Sequence, residues 1–233
     1  MSANPTQPYA TQRLAYASSP FAKSDLAPTP LAQFERWYSD ALIAQVIEPN
    51  AMILATVEPD GAPAARHVLL KAVDARGFSF FTNYGSAKAR AIAGNPQVAL
   101  VFGWLELHRQ VIVRGSAEPV DRVETEAYFR SRPWGSRIGA WASHQSEPIQ
   151  DGAVLARRYQ ELAERWPDHG RDDDVPVPEH WGGFLVHPVE VEFWQGRPSR
   201  LHDRLVFLVR EAEPGSAAPL DKPESWQVLR RQP

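Results

Sequence analysis

The chain has 233 residues, 43% of them apolar and 23% charged, with a formal net charge of −3. That length can bury a sizeable core, and the balance is that of an ordinary globular protein without the basic excess of a general nucleic-acid binder. There is no cysteine, which excludes disulfides, thiolate metal sites, iron–sulfur clusters and cysteine nucleophiles and fits a reducing compartment.

No apolar run approaches the ~18 residues of a membrane span. The start, "MSANPTQPYATQRLAYASSP", lacks the basic-then-apolar pattern of a secretory signal. Residues 1–28 are expected to form a disordered polar arm and 29–233 a single domain, in a cytoplasmic protein with neither nucleic-acid nor membrane partners.

In "TPLAQFERWYSDALIAQV", Thr29 can cap a helix that Pro30 opens, with Leu31, Phe34, Tyr38, Leu42 and Val46 at helical spacing. The period then changes to two. "AMILATVE", "APAARHVLLKAV" and "GFSFFTN" read as strands, separated by the turn signals "PDG" and "DARG". "SAKARAIAGNP" is a short helix with Ser86 as N-cap, followed by a hairpin of "QVALVFGWLE" and "RQVIVRGSAEPV". "DRVETEAYFRSRP" opens with Asp121 and Glu124 at capping-box spacing and runs until Pro133 interrupts it. "DGAVLARRYQELAERW" is amphipathic, with Leu155, Tyr159, Leu162 and Trp166 on one side. After the loop "PDHGRDDDVPVPEH" come two strands, "GGFLVHPVEVEFWQG" and "SRLHDRLVFLVRE", then the loop "AEPGSAAPLDKPES" and a last strand, "WQVLRR". Hairpins rather than helical crossovers link most strands. The fold class predicted is mainly β with helices (α+β), an antiparallel barrel with helices packed outside.

Several chemistries lack their residues. No dinucleotide or phosphate-loop glycine motif, zinc-protease motif or nucleophile elbow is present. The histidines are not at metal spacing, so no metal site is expected. The residues that remain bind anions. Thr82, Ser86 and Lys88 surround a helix N-terminus, where free amides and the helix dipole favour phosphate, although Ser86 also serves as an ordinary cap. In the helix "EAYFRSRPWGS", Tyr128 and Arg132 are four apart and share a face, with Ser136 just beyond; a solvated Arg132 is the plain alternative. Arg66 and Lys71 fall on opposite faces of a regular strand and so serve different groups. In "FWQGRPSRLHDR" (193–204), an extended Arg200–Arg204 puts Arg200, His202 and Arg204 on one side and Leu201 and Asp203 on the other. A solvated strand face is the alternative there.

Taken together, "RHVLLK", "FFTNYGSAKA", "RQVIVRG", "YFRSRPWGSRIGAWASHQS", "WGGF" and "EFWQG…RLHDR" resemble, in order and spacing, the pyridoxine/pyridoxamine 5′-phosphate oxidase family, from about Thr29 to the C-terminus. The resemblance implies an FMN-binding split barrel acting as a homodimer, with two flavin sites between subunits. It implies oxidation of pyridoxine or pyridoxamine 5′-phosphate to pyridoxal 5′-phosphate, with O₂ leaving as peroxide. Arg66, Thr82, Ser86 and Lys88 would hold FMN, chiefly at its phosphate. Gln110, Gln145, Ser146, Trp194 and Arg204 would complete the flavin site, with Phe81 beside them where the family commonly has tyrosine. Lys71, Tyr128, Arg132 and Ser136 would clamp the substrate phosphate. Arg200 and His202 would lie over the pyridine ring as the catalytic pair. Other departures are Ala87 where the family usually has arginine, Glu48 near a common aspartate, and the ending "LRRQP". The rival readings are a flavin oxidase of the phenazine-pathway type, a non-catalytic carrier of flavin or pyridoxal phosphate, and a deazaflavin-binding split barrel.

Overall fold

The computed structural model describes residues 16, 18–210 and 218–233. Helix α1 (Pro30–Ile43) starts as expected, with the Thr29 side chain accepting from the Ala32 amide. The strands are β1 (Ala51–Val57), β2 (Pro63–Leu69), β3 (Ala72–Asp74), β4 (Gly77–Asn83), β5 (Gln97–Trp104), β6 (Arg109–Pro119), β7 (Trp181–Gln195), β8 (Asp203–Val209) and β9 (Trp226–Arg231). The other helices are α2 (Ala87–Gly94), α3 (Arg122–Ser131), α4 (Trp134–Ala142) and α5 (Gly152–Arg165).

All pairings are antiparallel, in the order β2-β1-β5-β6-β7-β4-β3, with β8 on β7 and β9 on β8. This is the predicted antiparallel barrel with peripheral helices. Strand β7 makes the split. One edge lies along β6, while the other pairs with β4 through Trp181–Val186 and with β8 through Glu190–Gln195. The two partners part around Pro188, which has no N–H to offer a ladder. Opposite it β6 shifts register between Arg114 and Gly115, and a Cβ on Gly115 would collide with the His187 carbonyl. Only glycine lets the backbones approach there.

The main core fills the barrel with alternate residues of each strand, among them Met52, Leu54, Phe102, Val111, Val113 and Phe193. Burying each such side chain stabilises the fold by roughly 1.5–3 kcal/mol. Helix α1 adds Phe34, whose ring meets Phe78 and Phe102 at 5.0 Å, and Trp37, edge-on to Phe193 at 5.2 Å. Its buried stripe is therefore Phe34, Trp37 and Ala41, while Leu42 is 55% exposed. A second cluster around Phe129, Ile138, Val175 and Trp181 joins α3, α4 and α5 to the outside of the barrel, and Tyr159, Leu162 and Trp166 pack there as predicted.

Three expectations are corrected. The stretch 62–73 is two strands, broken at Leu70 and Lys71. Pro133 ends α3 but also begins α4, an element absent from the sequence reading, because its fixed φ suits a helix start as well as a stop. The end of the predicted arm, 18–28, is packed: Phe21 is buried and its amide donates to Asp203 at 2.9 Å. The arm's residues 1–15 and 17, residue 211 and the loop's 212–217 lie outside the described residues.

Candidate active site

Helices α2, α3 and α4 and strands β2 and β4 enclose a cleft of about 630 Å³. At one side, the Ser86 hydroxyl caps α2 by accepting from the Ala89 amide. Lys88, in the first turn, donates to Gln145 Oε1 at 2.7 Å and Thr82 Oγ1 at 3.2 Å, and lies 3.4 Å from Ser86 Oγ. Thr82 also donates to Gln145, at 3.0 Å. Burial, and then the charge of Arg66, push the Lys88 ammonium below the usual lysine range. Its partners are all neutral, and among the described residues no carboxylate pairs with it.

At the other side lie Lys71, Tyr128, Arg132 and Ser136. Arg132 is not on α3, contrary to its helical spacing from Tyr128. It is the extended cap residue that follows, with φ −74° and ψ 147°. Its guanidinium sits 4.6 Å from the Trp181 ring and 5.5 Å from Phe129, and its Nη1 is buried without a hydrogen-bond partner among the described residues. Burial pushes its proton affinity down, against a smaller pull from Tyr128. A buried donor without a partner costs about 1–3 kcal/mol, more when charged, so the site is built for an acceptor. Ser136 is in the first turn of α4, where the helix dipole also favours an anion.

The wall between these cationic spots is aromatic. Phe81 stacks on Tyr128 at 4.1 Å and on Trp181 at 5.5 Å. Sequence reasoning did not single out Trp181, although the paired glycines of "WGGF" carry a signal. A Cβ at Gly182 would strike the Tyr84 ring, and one at Gly183 would come within 2.8 Å of Phe81. Glycine within a strand marks such close approach.

Arg66 stands apart from the cleft lining. It folds over β1, donating to Thr56 Oγ1 at 2.7 Å, and pairs with Glu58 at 3.4 Å. Ser146 follows Gln145 in the left-handed region, at φ 73°.

The remaining predicted residues form a second group, and none of them lines the cleft. Gln110, Trp194 and Arg204 are register neighbours across β6, β7 and β8. Arg204 is bound edge-on by Glu192 at 2.8 and 2.9 Å. The extended run from Arg200 to Arg204 is corrected: Pro198–Arg200 is a 3₁₀ turn with Ser199 and Arg200 at φ 55° and 62°, and the strand begins at Asp203. The turn brings the Arg197 amide to His202 Nδ1 at 3.1 Å and leaves the His202 ring 4.6 Å from Trp194. Tyr16 lies against both rings, at 5.8 and 6.2 Å. Among the described residues no cluster of potential metal ligands exists, and no helix is long and apolar enough to cross a membrane.

The antiparallel split barrel with a cationic, aromatic-lined cleft is that of the FMN-binding split-barrel class. Residues 39–165 match the family described as pyridoxamine 5′-phosphate oxidase, and residues 181–233 match the pyridoxine 5′-phosphate oxidase C-terminal dimerisation region. The chain is 59% identical to a pyridoxine/pyridoxamine 5′-phosphate oxidase of Kineococcus radiotolerans, over 96% of this chain and 98% of the relative. It is 50% identical to one of Burkholderia multivorans, over 95% and 97%. The fold is similar to the crystal structure of PhzG from Burkholderia lata in complex with tetrahydrophenazine-1-carboxylic acid (TM-score 0.80, 27% identity, 93% of this chain and 99% of that one). It is also similar to a pyridoxamine 5′-phosphate oxidase-related, FMN-binding protein of Nostoc punctiforme (TM-score 0.65, 17% identity, 86% and 97%). The chain belongs to the pyridoxine/pyridoxamine 5′-phosphate oxidase family of oxidoreductases.

Proposed function

We propose that the protein oxidises pyridoxine 5′-phosphate, pyridoxamine 5′-phosphate or both to pyridoxal 5′-phosphate, with O₂ as final acceptor. The cofactor is FMN, which when bound supplies the two-electron acceptor. The observation that carries the reading is the buried, unpartnered Nη1 of Arg132 in a cleft whose other side holds Lys88 without a carboxylate. Lys71, Lys88 and Arg132 share one cleft, and among the described residues none is paired with a carboxylate, which suits two phosphates. Cofactor and substrate bring one each.

The residues divide the work. Thr82, Ser86 and Lys88 at the start of α2 hold the flavin phosphate, with Arg66 beside them and Gln145 and Ser146 closing over. Lys71, Tyr128, Arg132 and Ser136 hold the substrate phosphate. Gln110, Trp194 and Arg204 border the flavin ring, and Arg200 and His202 orient the substrate ring. This chain's own groups bind and orient, which is what a flavin enzyme asks of its protein. The alcohol or amine carbon loses two electrons and becomes the aldehyde, with water releasing ammonia from the amine. O₂ takes up those electrons with two protons and leaves as hydrogen peroxide.

Within one chain the second group does not line the cleft. In a homodimer built through the C-terminal dimerisation region, one subunit supplies the phosphate-binding cleft and its partner supplies the ring-facing group. Peroxide release from purified, flavin-loaded protein tests the function. Turnover of pyridoxine 5′-phosphate with little turnover of free pyridoxine is expected. Turnover of neither, with flavin bound, would favour the carrier; oxidation only of a carboxylate substrate, such as the ligand of the PhzG structure, would favour the phenazine-type oxidase. Sedimentation of the loaded protein as a monomer at micromolar concentration would refute the shared site.

A further inference from the structure

Strands β7, β8 and β9 carry a row of charges beside Trp194. Trp194 pairs in register with Arg204, and Arg204 with Arg231. Glu190, Glu192 and Trp194 alternate along β7 and so share a face. The Glu192 side chain is 3% exposed, which an ionised carboxylate tolerates only when fully paired. It is. Both of its oxygens accept from Arg204, through Nε at 2.8 Å and Nη2 at 2.9 Å, and Oε2 also accepts from Arg231 Nη1 at 3.1 Å. Arg231 in turn grips Glu190 with both terminal nitrogens at 2.7 Å. Two carboxylates thus hold two guanidiniums in a closed lattice, and one edge of the Arg204 fork is used up by Glu192. Among the described residues the remaining nitrogen, Nη1, reaches only the Gln232 carbonyl, at 3.2 Å.

A buried ion pair is a poor device for stability alone, since apolar residues of similar volume serve as well or better. A bidentate pair does fix the plane and the direction of a guanidinium. We propose that Glu192 is a positioning residue that locks the Arg204 guanidinium with one edge presented to the flavin, and that Arg231, from the last strand, braces Glu192 from behind. The proposal rests on the reading of Arg204 as a flavin residue. A guanidinium held in place beforehand gives up little rotamer freedom when flavin binds; one released from Glu192 must be ordered at that moment.

The test is flavin release from the dilute holoenzyme, followed by the recovery of free FMN fluorescence, in Glu192→Gln, Arg204→Gln, the double variant and Glu192→Asp. Glu192→Gln is expected to raise the FMN dissociation constant about tenfold. Glu192→Asp, which keeps the charge, should restore most of that loss. In the Arg204→Gln background Glu192→Gln should add nothing, because the two act as one unit. An equal effect in both backgrounds, or none in either, overturns the brace. Wild-type flavin affinity in Arg204→Gln overturns instead the flavin role of Arg204, and the brace falls with it. Should Glu192→Gln not fold, Arg231→Met at the half-exposed outer position decides: about threefold weaker binding supports the brace, and unchanged binding refutes it.

Discussion

The Arg197 amide donates to His202 Nδ1 at 3.1 Å, so in this fold that ring nitrogen is an acceptor and the ring proton resides on Nε2. Burial and then the charge of Arg200 hold the imidazole below its ordinary value, against a smaller opposing pull from Asp203. The neutral ring therefore persists as pH falls through the ordinary histidine value of ~6.5. Protonation would place a second donor against the Arg197 amide. The acid limb of kcat/KM is expected below that ordinary value, and Arg200→Ala should move it upward. A limb at or above the ordinary value in the wild type would remove His202 as the group that sets it.

Arg200 and His202 are expected to contribute orientation rather than affinity for flavin. A misplacement of about 1 Å can cost ~100-fold in rate. Arg200→Ala and His202→Ala should each lower kcat/KM by roughly 10- to 1,000-fold while the flavin absorbance of the purified protein is unchanged. Wild-type turnover in both variants would place them outside the active site.

Arg132 is half-buried, with its Nη1 unpartnered among the described residues, so its removal has two opposite consequences. Arg132→Met should raise KM for the phosphorylated substrate at least tenfold with a smaller change in kcat, the mark of lost uniform binding. The same variant should melt no lower than wild type when substrate is absent, because a buried donor without an acceptor has been removed. Thermal melts and steady-state peroxide assays separate the two effects. A lowered melting temperature with unchanged KM would make Arg132 a structural residue.

Ala87 opens helix α2, next to Lys88. An arginine there adds a charge-assisted bond worth roughly 1.5–3 kcal/mol. Ala87→Arg is expected to tighten FMN by about tenfold, measured by titrating the apoprotein. Unchanged binding would mean that Arg90, which already donates to the Gly85 carbonyl at the same helix end, fills that role.

Most of the barrel was legible because its strands alternate and its turns carry their own chemistry: "PDG" and "DARG" mark hairpins, and Thr29, Ser86 and Asp121 cap helices as their spacing predicts. What escaped were positions where local rules conflict with tertiary ones. Pro133 is both a stop and a start, so α4 was missed. Arg132 keeps helical spacing from Tyr128 but leaves the helix one residue early, and Arg200 sits in a left-handed turn that an alternating pattern hides. Leu42 follows the helical stripe yet faces outward, because Trp37 and Ala41 take the barrel side. The assembly of the cleft from Lys71, Lys88 and Arg132 is a long-range event. Composition and spacing name such residues but do not say that they meet.

The fork in β7 also governs the order in which the molecule can form. Strands β4, β6 and β8 each have one partner in this one segment, Trp181–Gln195, which follows more than two thirds of the chain. Until it has been synthesised, the edges of β4 and β6 stay open, and open edges invite pairing with other chains. Closing the barrel then joins β4 to β7 across about a hundred residues of intervening chain, a distant contact of the sort that slows folding. A nascent chain halted before Trp181 holds Lys71, Lys88 and Arg132 but has no strand on which to bring them together.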